Sequence, residues 1–112
     1  MINVQVTTVE GIPSRLVSSG HAMRSGSSES APCAAVSVVL KSFGLAIATN
    51  TGCRVQVQAD QPGSFDLRLG ECRDLQWLAG TWAVTATSLR EIAAAWPDEM
   101  RLTITEEKKY GS

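Results

Sequence analysis

The chain has 112 residues, 44% of them hydrophobic, enough for one ordinary core and consistent with one domain over 1–112. Ten Lys plus Arg against eleven Asp plus Glu leave a formal net charge of −1, without the basic excess that phosphate backbones attract, so no direct nucleic-acid partner is expected. No run is read as long enough in apolar residues to cross a bilayer, and no basic segment leads into an apolar one after Met1, which predicts a cytoplasmic protein without membrane contact.

Ile2, Val4 and Val6 alternate with Asn3, Gln5 and Thr7, the period of a half-buried strand running to about Val9. Gly11 to Pro13 carry turn chemistry, and Arg15 to Gly20 can return as an antiparallel partner that delivers the chain to His21. Residues 23–31 are rich in Ser and Gly and read as a mobile loop, either a linker or a lid. From Pro32 the spacing turns helical: Val36, Val39, Leu40, Phe43 and Ile47 share a face, which predicts a helix over 32–49.

Cys53, Val55 and Val57 alternate as a third strand, and a turn around Pro62 and Gly63 leads to a fourth through Phe65, Leu67 and Leu69. A second helix is predicted over about 71–96, with Leu75, Leu78, Trp82, Leu89, Ile92 and Trp96 on one stripe and Pro97 ending it. Trp77 falls off that stripe and suits either a partner surface or packing within the monomer. Met100, Leu102 and Ile104 form a short fifth strand, and Glu106 to Ser112 read as a charged, frayed tail. The order β-β-α-β-β-α-β predicts an α+β fold: an antiparallel or mixed five-stranded sheet with two helices on one face.

Cys33, Cys53 and Cys72 lie about twenty residues apart, an odd number without a CxxC pair, so reduced thiols are expected and neither a metal nor a cofactor. His21 is the single histidine and hence the natural base near neutral pH. Two blocks stand out: Gly20-His21-Ala22 at a strand end and Pro32-Cys33-Ala34-Ala35-Val36-Ser37 at a helix start. A thiol attacks as its thiolate, and the first turn of a helix favours that anion through its N–H groups and dipole. Unpaired N–H groups of Cys33, Ala34 and Ala35 would face the oxyanion formed at a carbonyl, and the two small alanines leave room for an extended peptide. The bland reading is a buried helix-start cysteine with a surface histidine, and Cys72, near the predicted start of the second helix, is a rival thiol.

The pairing of these blocks, with His21 twelve residues before Cys33, resembles the ribosomal-processing cysteine protease family, Prp. Chain length, element order and the aromatic-Pro pair before the last strand extend the resemblance over nearly the whole chain. It implies a homodimeric α+β endopeptidase with a flexible loop over its site, in which His21 and Cys33 match the catalytic pair. The implied substrate is the precursor of large-subunit ribosomal protein twenty-seven, whose N-terminal extension is removed. The family commonly carries an acid three residues before the cysteine, where this chain has Ser30, and an aliphatic residue where it has Pro32. Ser37 matches the family one turn beyond Cys33. Gly20, Ala22, Ser30, Ala34, Ala35 and Ser37 are therefore the residues expected to border the oxyanion or the peptide. The alternative is a non-catalytic ribosome-associated peptide-binding or adaptor domain, motivated by Ser30.

Overall fold

The alternation at the start of the chain becomes β1 (Ile2–Val9), which turns into β2 (Ile12–Ser19) and is followed by α1 (Ala31–Thr49), β3 (Cys53–Gln58), β4 (Phe65–Cys72), α2 (Leu75–Ala95) and β5 (Met100–Glu106). These elements come from a computed structural model that describes residues 1–20, 30–61 and 63–107. The sheet order is β3-β4-β2-β1-β5. β1 pairs antiparallel with β2, β2 with β4, and β4 with β3, while β5 lies parallel to β1, so the sheet is mixed as expected.

Both helices cover one face. Ile2, Val4 and Val6 of β1, Leu16 of β2 and Leu67 of β4 point into a single core with Val36, Leu40, Phe43 and Ile47 of α1 and Leu78, Trp82 and Leu89 of α2. Phe43 and Trp82 meet with ring centroids 5.7 Å apart, tying the helices together. Trp77 is half-buried and packs against this core, which is the monomer-packing reading of that residue.

Several boundaries differ from the sequence expectation. The β1–β2 turn is the pair Glu10-Gly11, both with positive φ (53° and 76°), so β2 begins three residues earlier than expected. Two left-handed residues give a turn whose twist matches the flanking strands. Pro13 is tolerated inside β2 because it sits beside the register shift at Thr7/Thr8. Glu106 belongs to β5, not to a frayed tail. Its carboxylate accepts the Thr8 hydroxyl (2.7 Å) and the N–H groups of Glu10 (2.6 Å) and Gly11 (2.9 Å), and these bonds, Thr8's first, hold its pKa below the usual carboxylate range.

The second helix starts at Leu75 instead of Glu71, because strand pairing carries β4 through to Cys72 and Asp74 supplies the cap, accepting the Trp77 N–H at 3.4 Å. The expectation of reduced thiols is likewise overturned: Cys53 and Cys72 face each other across β3 and β4, with Cα atoms 3.9 Å apart, and form a disulfide. Finally, α1, with a mean hydropathy of 1.8, is long and apolar enough by length and composition to cross a membrane, contrary to the sequence reading. The reason is that its outer side repeats the apolar character of the stripe it buries on the sheet: Val38 and Leu45 are 64% and 67% exposed.

Candidate active site

The sheet has two distinct ends. Asn50 to Gly52 join α1 to the start of β3, so α1 runs back along the sheet and its first turn returns to the end where β2 stops and β1 begins. Gly20 closes β2 at that end with φ +88°, and a Cβ there would collide with the carbonyl oxygen of Met1. Only glycine fits this conformation and this close approach. It therefore sets the direction in which the chain leaves for His21. His21 and Ala22 themselves, and the Ser/Gly tract up to Glu29, lie outside the described residues.

Cys33 occupies the third position of α1 and is buried, 8% exposed, as a member of the core cluster. The helix begins one residue before the predicted start, at Ala31, and places Pro32 at the second position. Ser30 is the cap: extended (φ −72°, ψ 157°), 1% exposed, its hydroxyl accepting the Cys33 N–H at 3.3 Å and its carbonyl accepting the Ala34 N–H at 3.0 Å. This corrects the expectation of unpaired donors at Cys33 and Ala34. Both are engaged in closing the helix start, Pro32 has no N–H, and Ala35 lies one residue deeper in the helical ladder. Ala34 is exposed, whereas Ala35 and Ser37 are half-buried. What remains at this point of the fold is a cysteine in the positive field of a long helix, beside an exposed small residue, at the sheet end where the chain departs for the lone histidine.

The cysteine protease Prp family matches residues 1–101. The chain belongs to that family. Membership makes it a cysteine protease, and Cys33 is the one cysteine outside the disulfide. Among solved structures, the essential ribosomal processing protease Prp of S. aureus, in complex with a covalently linked product peptide, is 25% identical with a TM-score of 0.79, covering 94% of this chain and all of that one. The same enzyme with a substrate peptide gives 24% and 0.77 over the same shares. SMU.848 from Streptococcus mutans, 19% identical with a TM-score of 0.78 over 96% of each chain, shares the fold. No curated protein matches the sequence.

Cys72, the rival thiol, lies at the end of β4 in the disulfide with Cys53, two residues before the α2 cap Asp74. The pairing had a signal in the sequence. Cys53 and Cys72 are nearly symmetric about the Pro62-Gly63 turn, which is where cross-strand partners of a hairpin fall. The packing of Gly20 on Met1 had none, since the contact joins the first residue to the twentieth through the sheet.

Proposed function

We propose that this Prp family protein is a processing endopeptidase that removes the N-terminal extension of large-subunit ribosomal protein twenty-seven in the cytoplasm, with Cys33 as nucleophile and His21 as base. The family match with Cys33 as the cysteine outside the disulfide carries the reading. The S. aureus relative supports it as a ribosomal processing protease holding a covalently linked product peptide.

His21 takes the proton of the Cys33 thiol, and the thiolate attacks the scissile carbonyl. The N-terminal field of α1 stabilises negative charge on sulfur and then on the tetrahedral oxygen. Collapse expels the amine of the downstream peptide, protonated by His21, and water activated by the same imidazole hydrolyses the thioester. Gly20 and Ala22 bracket the base, while Ala34, Ala35 and Ser37 border the extended substrate. Ser30 stands where the family commonly has an acid, and it serves by holding the first turn. We also propose a homodimer, supported by the exposed apolar outer side of the helices, where Val38, Leu45 and Val84 are 64%, 67% and 69% exposed. Light scattering showing a monomer at micromolar concentration contradicts the dimer.

The deciding experiment is cleavage of the tagged precursor by wild type, Cys33→Ala, His21→Ala and Cys72→Ala. Cleavage by wild type and Cys72→Ala alone is expected. Cleavage retained by Cys33→Ala overturns the assignment, and binding of the precursor without turnover by wild type returns the adaptor reading.

A further inference from the structure

The helix-free face of the sheet has a charge that the composition hides. Because Ile2, Val4 and Val6 face the core, Asn3, Gln5 and Thr7 face the other way, and the strand register extends that assignment across the sheet. Thr7 pairs with Arg15, Arg15 with Arg68 and Arg68 with Gln56. Gln5 pairs with Val17, Val17 with Asp66 and Asp66 with Gln58. At the far edge Asn3 pairs with Arg101 and Gln5 with Thr103. Arg54 joins the same side, since a Cβ on Gly70 would lie 3.3 Å from its own. Among these positions stand four guanidiniums, Arg15, Arg54, Arg68 and Arg101, and one carboxylate, Asp66. Other carboxylates lie elsewhere: Asp60 between β3 and β4, Asp74 before α2, Glu91 on α2, Asp98 and Glu99 before β5.

Asp66 does not neutralise this face. It accepts both Arg15 Nε (3.1 Å) and Nη2 (2.8 Å), and stands 3.7 Å from Arg68 Nη2, so two arginines share one acid. Arg68 keeps 60% of its side chain exposed. Arg54, Gln56, Arg68 and Gly70 line a cleft of about 670 Å³ at this corner of the sheet, which wraps round the edge to Cys53, Val55, Leu69 and Ala48 of α1.

The rest of the face decides which anion suits it. Around the arginines are amides and hydroxyls, Asn3, Gln5, Gln56, Gln58, Thr7 and Thr103, the groups that hydrogen-bond phosphate and sugar oxygens. Val17 is the one aliphatic side chain among the paired positions named above, and it is half-buried, so away from the corner cleft an acidic peptide would find no apolar anchor. None of these positions is aromatic, which removes the stacking platform that single strands use. A polar, positively charged and broad surface, about 19 Å across four inter-strand steps, matches a double-stranded phosphate backbone. We propose that the open face of the sheet docks the phosphate backbone of a nucleic-acid duplex, using Arg54, Arg68, Arg15 and Arg101. The surface is independent of Cys33, so the proposal stands apart from the protease mechanism.

The test is fluorescence anisotropy of a labelled, blunt RNA duplex titrated with the full chain at salt concentrations from about 50 to 200 mM. Affinity is expected to fall with salt with a log–log slope of about −3, the value for three to four phosphates. The double variant Arg54→Gln, Arg68→Gln should lower the slope by about 2, while Arg54→Lys, Arg68→Lys keeps it. Arg90→Gln, on the exposed side of α2, should leave it unchanged, and matching thermal unfolding shows that each variant is folded. Absence of binding, a slope untouched by the double Gln variant, or an equal loss in Arg90→Gln overturns the proposal. Poly-glutamate bound as tightly with the same arginine dependence assigns the face to an acidic polypeptide and overturns it too.

Discussion

The two ends of the sheet are built differently. At the end away from Cys33, the β1–β2 turn is clamped by three hydrogen bonds to Glu106, the β3–β4 pair is cross-linked by Cys53 and Cys72, and Gly52 is bonded through its N–H to Asn50 Oδ1 (2.9 Å) and through its carbonyl to the Arg73 N–H (2.9 Å). At the Cys33 end, among the described residues, Gly20 packs against the Met1 carbonyl, Ser30 closes the first turn of α1, and the Ile2 N–H donates to the Glu99 carbonyl at 2.8 Å where α2 passes into β5. Catalytic groups gain from a rigid scaffold that ends where they begin, because the scaffold sets positions while the open end admits substrate. The clamped turn and the cross-link thus gather at one end of the sheet, and the helix start that carries Cys33 stands at the other.

The largest effect expected is at the chemical end. Cys33→Ala should lower precursor cleavage by at least about a thousandfold, the scale for removing a nucleophile, with unfolding temperature nearly unchanged. A cleavage assay beside thermal unfolding separates the two quantities. Next, Cys53→Ala should do the reverse, removing up to about 3 kcal/mol of stability through the lost cross-link while cleavage per folded molecule persists. Denaturant unfolding with and without reductant checks it. If reductant alone abolishes cleavage of folded protein, the two ends are not separable.

Gly20→Ala should touch both quantities, since the new Cβ meets backbone at a left-handed φ and the chain can escape only by shifting the segment that leads to His21. We expect a loss of about 1–3 kcal/mol together with a fall in cleavage, read by thermal unfolding and turnover on one preparation. Ser30→Ala should cost about 1 kcal/mol by removing the cap, whereas Ser30→Asp, also a good cap, should not. Equal loss in both would show that the hydroxyl itself, not capping, is what matters.

The smallest effect is a pH dependence at the locked end. The Glu106 pKa is lowered in the folded state, so its contribution is present above the ordinary carboxylate pKa and lost as pH falls through the depressed folded value. Glu106→Gln should therefore destabilise at neutral pH, with the difference from wild type shrinking in acid. Unfolding of both proteins across an acid-to-neutral series measures it, and a difference that does not shrink would remove Glu106 as its source.

Much of the fold was legible because periodicity is local. The alternation at Ile2, Val4 and Val6 and the helical spacing from Val36 to Ile47 announce their own elements, and the strand-helix order then restricts the layers. Boundaries were less legible where a neighbour decides them: β4 runs on to Cys72 because β3 is there to pair, and Glu106 is anchored because a turn almost a hundred residues earlier presents its N–H groups. At the site, a helix start beside the cysteine was readable from Pro32 and Cys33, one residue after the observed one. That the cap spends the Cys33 N–H, the donor expected to face an oxyanion, was not, since it depends on the rotamer of one hydroxyl.

What the residues determined unaided was the kind of element at each point and the likeness to the Prp family. These follow from spacing along the chain, where short-range sterics and hydrophobic period act. What tertiary structure alone decided was which cysteines meet, what Gly20 leans on, and how a chain of net charge −1 comes to gather four arginines on one face of its sheet. Those are properties of strand register, which brings distant residues to one surface and leaves no local mark in the sequence.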